Sequence, residues 1–123
     1  MTLVIKKKTF LNGRSKDEFI TQLTNFFNQH VEKAYIFGSF YTELFNTDSD
    51  LDILLIAQTQ LKFHDRYQLF PELLQFLQSE NVLYDLLIYT PEEFKKLQDE
   101  GLQSKVGFWK NFNRESKLIF CKI

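Results

Sequence analysis

Apolar positions recur along this chain in two periods. Phe19, Ile20, Leu23, Phe26 and Phe27 fall at i, i+1, i+4, i+7 and i+8, which is one face of a helix. Ser15 and Glu18 precede them as a capping box, so the pattern predicts a helix that begins after Ser15 and ends near His30. Ala34-Tyr35-Ile36-Phe37 is a short β-rich run closed by Gly38, and residues 50–57 form a second apolar run. Between them, residues 39–46 leave room for one helical turn, and Asn46-Thr47-Asp48-Ser49 is a turn cluster. Tyr67, Phe70, Leu73, Leu74 and Leu77 repeat at three- and four-residue steps, with Pro71 marking a kink or a broken start. A third strand is predicted over 82–89. Thr90, Pro91 and Glu93 then supply an N-cap, a first-turn proline and an N3 acid for a helix running toward Glu100, with Gly101 as its stop. A further amphipathic piece spans 103–112 and a closing strand spans 117–121. This order predicts an α/β (α+β) fold, a small mixed sheet with helices packed mainly on one face. No repeat or linker divides the chain, so 1–123 reads as a single domain.

Charge narrows the function classes. Lys+Arg is 15 and Asp+Glu is 16, so the net charge is 15 − 16 = −1. That balance speaks against bulk electrostatic binding to nucleic acid or to an anionic membrane. No apolar run approaches the roughly 18–20 residues of a membrane span, and the first residues lack the order of a signal peptide. The single cysteine, Cys121, excludes an internal disulfide framework, and its apolar surroundings predict a buried thiol. These features together predict a cytoplasmic protein. With 14 Phe, rings should dominate the core, with some left for a partner surface. The cluster from Val106 to Phe112, which contains Trp109, reads as core packing ahead of a partner-binding patch. His30 and His64 have no partner at metal-ligand spacing and read as surface or capping residues.

The chemistry concentrates between residues 37 and 52. Gly38-Ser39 follows a strand, and ten residues later Asp50-Leu51-Asp52 opens the next one. Residues i and i+2 of a strand project from one face with Cα atoms roughly 6.5–7 Å apart, so Asp50 and Asp52 aim at one spot. Two carboxylates so close call for a cation, and hard oxygen donors suit Mg²⁺. Gly38 lets the backbone approach a phosphate, and Ser39 offers a hydroxyl and an N–H at the following turn. Asp85, inside the otherwise apolar run 82–88, is a third candidate ligand; pairing with a basic residue or facing solvent are the alternatives. Allowing for a variable spacer, such a pattern arises by chance in roughly 1% of chains this long, so it points to a site.

The pattern resembles the polymerase-β-like nucleotidyltransferase superfamily, whose signature is Gly-Ser, a spacer, Asp-x-Asp and a later Asp. The short length and the Asp48-Ser49-Asp50-Leu51-Asp52 form look most like the minimal nucleotidyltransferases, usually the antitoxin half of pairs with HEPN-domain toxins. Tyr84-Asp85-Leu86-Leu87-Ile88 and the Thr90-Pro91-Glu92-Glu93-Phe94 helix start extend the resemblance, over roughly residues 15–100. It implies Gly38 and Ser39 as nucleotide-binding residues, and Asp50, Asp52 and Asp85 as catalytic residues and ligands of two Mg²⁺ ions. It also implies ATP or another NTP as donor and a tyrosine of a HEPN toxin as acceptor. Many members carry Gly-Ser-x-Ala-Arg-Gly, whereas this chain has Phe40-Tyr41-Thr42-Glu43 after Ser39. No Lys or Arg occurs from Ala34 through Leu61, and the nearest basic candidates are Lys62 and Arg66. Such an acidic site would lean on Mg²⁺ to hold a nucleotide. A module that neutralises its toxin by contact alone, and a transferase acting on a small molecule such as an antibiotic, are the alternatives.

Overall fold

The computed structural model describes residues 10–80, 82–103, 112 and 115–122. Lys6, Lys7, Lys8, Trp109 and most of the 103–112 piece lie outside the described residues. The elements are α1 (Lys16–Thr24), β1 (Val31–Phe37), β2 (Leu51–Ala57), α2 (Pro71–Ser79), β3 (Tyr84–Tyr89), α3 (Pro91–Gln103) and β4 (Lys117–Cys121). Two 3₁₀ helices, Phe10–Gly13 and Phe63–Leu69, precede α1 and α2.

The strands form one mixed sheet in the order β3-β2-β1-β4. β1 is antiparallel to both β2 and β4, while β2 and β3 are parallel. The strand alternation of β2 sorts the core into two layers. Leu51, Ile53, Leu55 and Ala57 pack with α1 and α2, whereas Leu54 and Ile56 pack with Phe94 of α3 and with Phe112. The expected mixed sheet is therefore present, with two helices on one face and α3 on the other.

Local chemistry explains where elements begin and end. The Ser15 side chain accepts from the Glu18 N–H at 3.1 Å and caps α1. α1 stops at Thr24, six residues short of the expected His30. Asn28 takes over as an alternative partner: its Oδ1 accepts from the His30 N–H at 2.9 Å and its Nδ2 donates to the Leu69 carbonyl at 2.7 Å. Phe27 still packs against the core, edge-on to Phe120, while the exposed Phe26 stacks on Phe76. The periodic stretch 65–79 divides at Pro71, which opens α2 as a first-turn residue. At Thr90 both halves of the capping box form: Thr90 N–H donates to Glu93 Oε1 at 2.9 Å, and Glu93 N–H to Thr90 Oγ1 at 3.2 Å. α3 runs past Gly101 to Gln103, because glycine weakens a helix without breaking it.

Cys121 is exposed, contrary to the expected buried thiol. It sits at the end of an edge strand, paired with the exposed Lys33. Phe112 is 3% exposed and packs on Tyr35, Phe37 and Phe94, which makes it core. No helix among the described residues is long and apolar enough to cross a membrane.

Candidate active site

One end of the sheet gathers the end of β1 and the starts of β2, β3 and β4. Gly38 leaves β1 with φ +75°, a left-handed conformation that glycine adopts without strain. Asp52 lies opposite Phe37 in the β1–β2 ladder, and its carboxylate occupies the space above Gly38. A β-carbon at residue 38 would collide with Asp52 Oδ2 and stand 3.3 Å from its Cγ.

Asp85 is the direct partner of Asp52 in the parallel β2–β3 ladder, so both leave the same face of the sheet. That face also carries Leu54 and Leu87 and is covered by α3. Asp50 precedes β2 by one residue. The Asp52 carboxyl is pushed up to about 6, first by burial, then by the negative charges of Asp85 and Asp50. Asp50 and Asp85 are exposed and Asp52 is half-buried. Thus the three sequence-predicted acids share one end of the sheet, and Asp52 feels the charges of the other two. Among the described residues, however, no three acid, His or Cys side chains gather closely enough to hold a metal ion as they stand. Two acids in register, a third two residues away and a glycine cradle supply hard oxygen donors that fit a divalent cation better than any softer metal.

Ser39 begins a tight turn. Its carbonyl accepts from the Thr42 N–H at 2.9 Å and from Thr42 Oγ1 at 2.7 Å. Phe40 is fully buried against Phe19, Tyr41 and Phe45, so it anchors the turn in the core. The turn cluster at 46–49 forms as expected: Asn46 Oδ1 accepts from the Asp48 N–H at 2.8 Å, and Ser49 Oγ accepts from the Asn46 N–H at 3.0 Å.

Arg66 does not serve this site. It is buried and donates to the Ile88 and Leu61 carbonyls, each at 3.0 Å, and to both oxygens of Glu93 at 2.6 and 3.0 Å. With Tyr67, whose hydroxyl donates to the Leu86 carbonyl at 2.5 Å, it covers the outer edge of β3. Sequence reasoning missed two other cations at the acidic end. Lys16 of α1 and Lys117 of β4 both reach the 39–45 segment, and no local pattern signals a contact across 24 residues or more. A cleft of about 270 Å³ lies at the opposite end of the sheet, lined by Lys33, Tyr35, Ile56 and Phe94.

The family described as Polymerase beta, Nucleotidyltransferase matches residues 21–122, and the chain belongs to it. Nucleotidyltransferases of this family generally use divalent metal ions. No curated protein sequence matches the chain. Among solved structures it is similar to a toxin-antitoxin crystal structure with AMP-PNP, at 18% identity and a TM-score of 0.51, covering 89% of this chain and 75% of that one. A mutant form of the MntA-HpeT toxin-antitoxin is similar at 16% identity, with a TM-score of 0.51 and the same coverage. At these identities the likeness establishes the shared fold.

Proposed function

We propose that this chain is a Mg²⁺-dependent nucleotidyltransferase that acts as an antitoxin in the cytoplasm. It moves AMP from ATP onto a hydroxyl of its partner, a tyrosine of a HEPN-domain toxin. The observation that carries this reading is the seating of Asp52, which lies over left-handed Gly38 and in register with Asp85. Family membership and the fold shared with toxin-antitoxin structures support it.

Asp50, Asp52 and Asp85 are the residues to hold two Mg²⁺ ions, which when bound neutralise the triphosphate and lower the barrier to its attack. Gly38 makes room for the Asp52 carboxylate at the mouth of the turn, and Ser39 supplies an N–H and a hydroxyl to phosphate oxygens. Asp85, exposed on the edge strand, takes the proton of the acceptor hydroxyl. The acceptor oxygen attacks the α-phosphorus in line. That O–P bond forms as the bond to the β-phosphate oxygen breaks, and pyrophosphate leaves.

The test is to incubate the protein with α-labelled ATP, Mg²⁺ and the product of the adjacent reading frame. Label is expected on that product, and lost with Asp52→Asn. An unlabelled product after incubation with the original protein overturns the transferase reading. A second reading, neutralisation by contact alone, is favoured by Leu44, 80% exposed beside the site. In that case Asp50→Asn with Asp52→Asn leaves neutralisation intact.

A further inference from the structure

The segment that carries Gly38, Ser39, Asp50 and Asp52 supplies no cation, since no Lys or Arg occurs from Ala34 through Leu61, and Arg66 is committed to Glu93. A triphosphate brought there meets three carboxylates. Two lysines from distant parts of the chain alter this balance. Lys16, the first residue of α1, donates from Nζ to the Thr42 carbonyl at 2.9 Å and lies 5.5 and 5.6 Å from the ring centres of Phe40 and Phe45. Lys117, the first residue of β4, pairs with Ile36, two residues before Gly38, and places Nζ 4.5 Å from the ring centre of Tyr41. Both ammonium groups therefore rest on the turn that Ser39 opens and Thr42 closes.

We infer that Lys16 and Lys117 are polyphosphate-binding residues of this site, a statement that rests on the nucleotidyltransferase reading above. Aromatic faces and one carbonyl hold the ammoniums in place without neutralising them. Neither lysine is in an ion pair among the described residues. An ammonium has three donors, so Lys16 keeps two for another acceptor. Asp52 and Asp85 stand on the α3 face, while α1 brings Lys16 from the other. The turn at Ser39 is thus supplied with negative charge from one side and positive charge from the other. A bound triphosphate can draw on metal through the acids and on ammonium through the turn.

Titration calorimetry with Mg·ATP, with tripolyphosphate and with adenosine tests this. Lys16→Met and Lys117→Met should each weaken Mg·ATP and tripolyphosphate about tenfold, the scale of one charge-assisted hydrogen bond. Adenosine binding should not change. Lys16→Arg should retain binding, and Lys95→Met, on α3 beside the cleft at the far end, should have no effect. Affinity for tripolyphosphate should fall less steeply with added salt in the double Met variant. Acetylation of the original protein, mapped by mass spectrometry, provides a measurement that needs no variant to fold: tripolyphosphate should protect Lys16 and Lys117 and not Lys95. Unchanged affinity in the folded double variant, or no protection, overturns the assignment and leaves the nucleotidyltransferase reading standing. Failure of the original protein to bind Mg·ATP at all overturns both.

Discussion

The Asp52 carboxylate occupies the volume that a side chain on Gly38 would need. Backbone conformation and site geometry are therefore coupled at one point. Gly38→Ala should destabilise the protein by about 1–2 kcal/mol through the left-handed φ alone, and by more through displacement of Asp52. In an Asp52→Ala background the collision is gone and only the backbone strain remains. Denaturant unfolding of the four proteins in this cycle should thus give a smaller loss for Gly38→Ala in that background. Equal losses in both backgrounds would show that the carboxylate yields freely.

Asp52→Asn should stabilise the metal-free protein at neutral pH. The folded-state value, about 6, lies above the ordinary 3.8, so folding favours the protonated acid. The charged carboxylate therefore lowers stability fully above about pH 6, and this penalty fades as pH falls toward 3.8. Thermal midpoints in chelator should favour Asn by a few degrees at pH 8 and converge with the original at pH 4. A variant less stable than the original at pH 8 would contradict this account, in which burial first and the charges of Asp85 and Asp50 second penalise the carboxylate.

Much of this site was legible in the sequence because its parts are local. Gly38-Ser39 and Asp50-Leu51-Asp52 lie within fifteen residues, and strand periodicity alone places them at one sheet end. The match of Asp85 to Asp52 needed only a third strand beside the second. Contacts across the fold were not legible. Arg66 looked like a free cation for phosphate, and only the bidentate pairing with Glu93, 27 residues away, shows that it is structural. Lys16 and Lys117 drew no notice in the sequence for the same reason. The end of α1 was overestimated because Phe26 and Phe27 keep helical spacing, although they meet Phe76 and Phe120 from turns. Cys121 was misplaced because an apolar neighbourhood in sequence says nothing about which strand lies at an edge.

The Arg66–Glu93 pair should dominate acid sensitivity around α3. A hydrogen bond from Arg66 is the largest reason that Glu93 is held below its ordinary value of 4.5, with the Thr90 N–H helping. A depressed acid contributes stability above its unfolded value and loses it as pH falls through the folded one. The original protein should therefore lose stability more steeply than Glu93→Gln as pH falls below the ordinary 4.5. Arg66→Met, which leaves the Ile88 and Leu61 carbonyls without their donor, should lower stability by about 1–3 kcal/mol at pH 7. Urea unfolding at several pH values measures both effects, and parallel curves for original and Glu93→Gln would rule out the pairing as the cause.

Divalent metal should act through the same acids that repel one another without it. A ligand that binds only the folded protein stabilises it in proportion to the logarithm of its concentration over Kd. Mn²⁺ or Mg²⁺ added to chelator-treated protein should raise the thermal midpoint, and renewed chelation should reverse the rise. Asp52→Asn removes the central donor and should abolish most of it, while Asp48→Asn, in the exposed turn before the site, should leave it unchanged. The two effects of Asp52→Asn then have opposite signs: a higher midpoint in chelator and a smaller gain with metal. A single nonspecific cause, such as looser packing at the sheet end, cannot produce both. If metal raises the midpoint of Asp52→Asn as much as that of the original, the cation binds elsewhere and Asp52 is not its ligand.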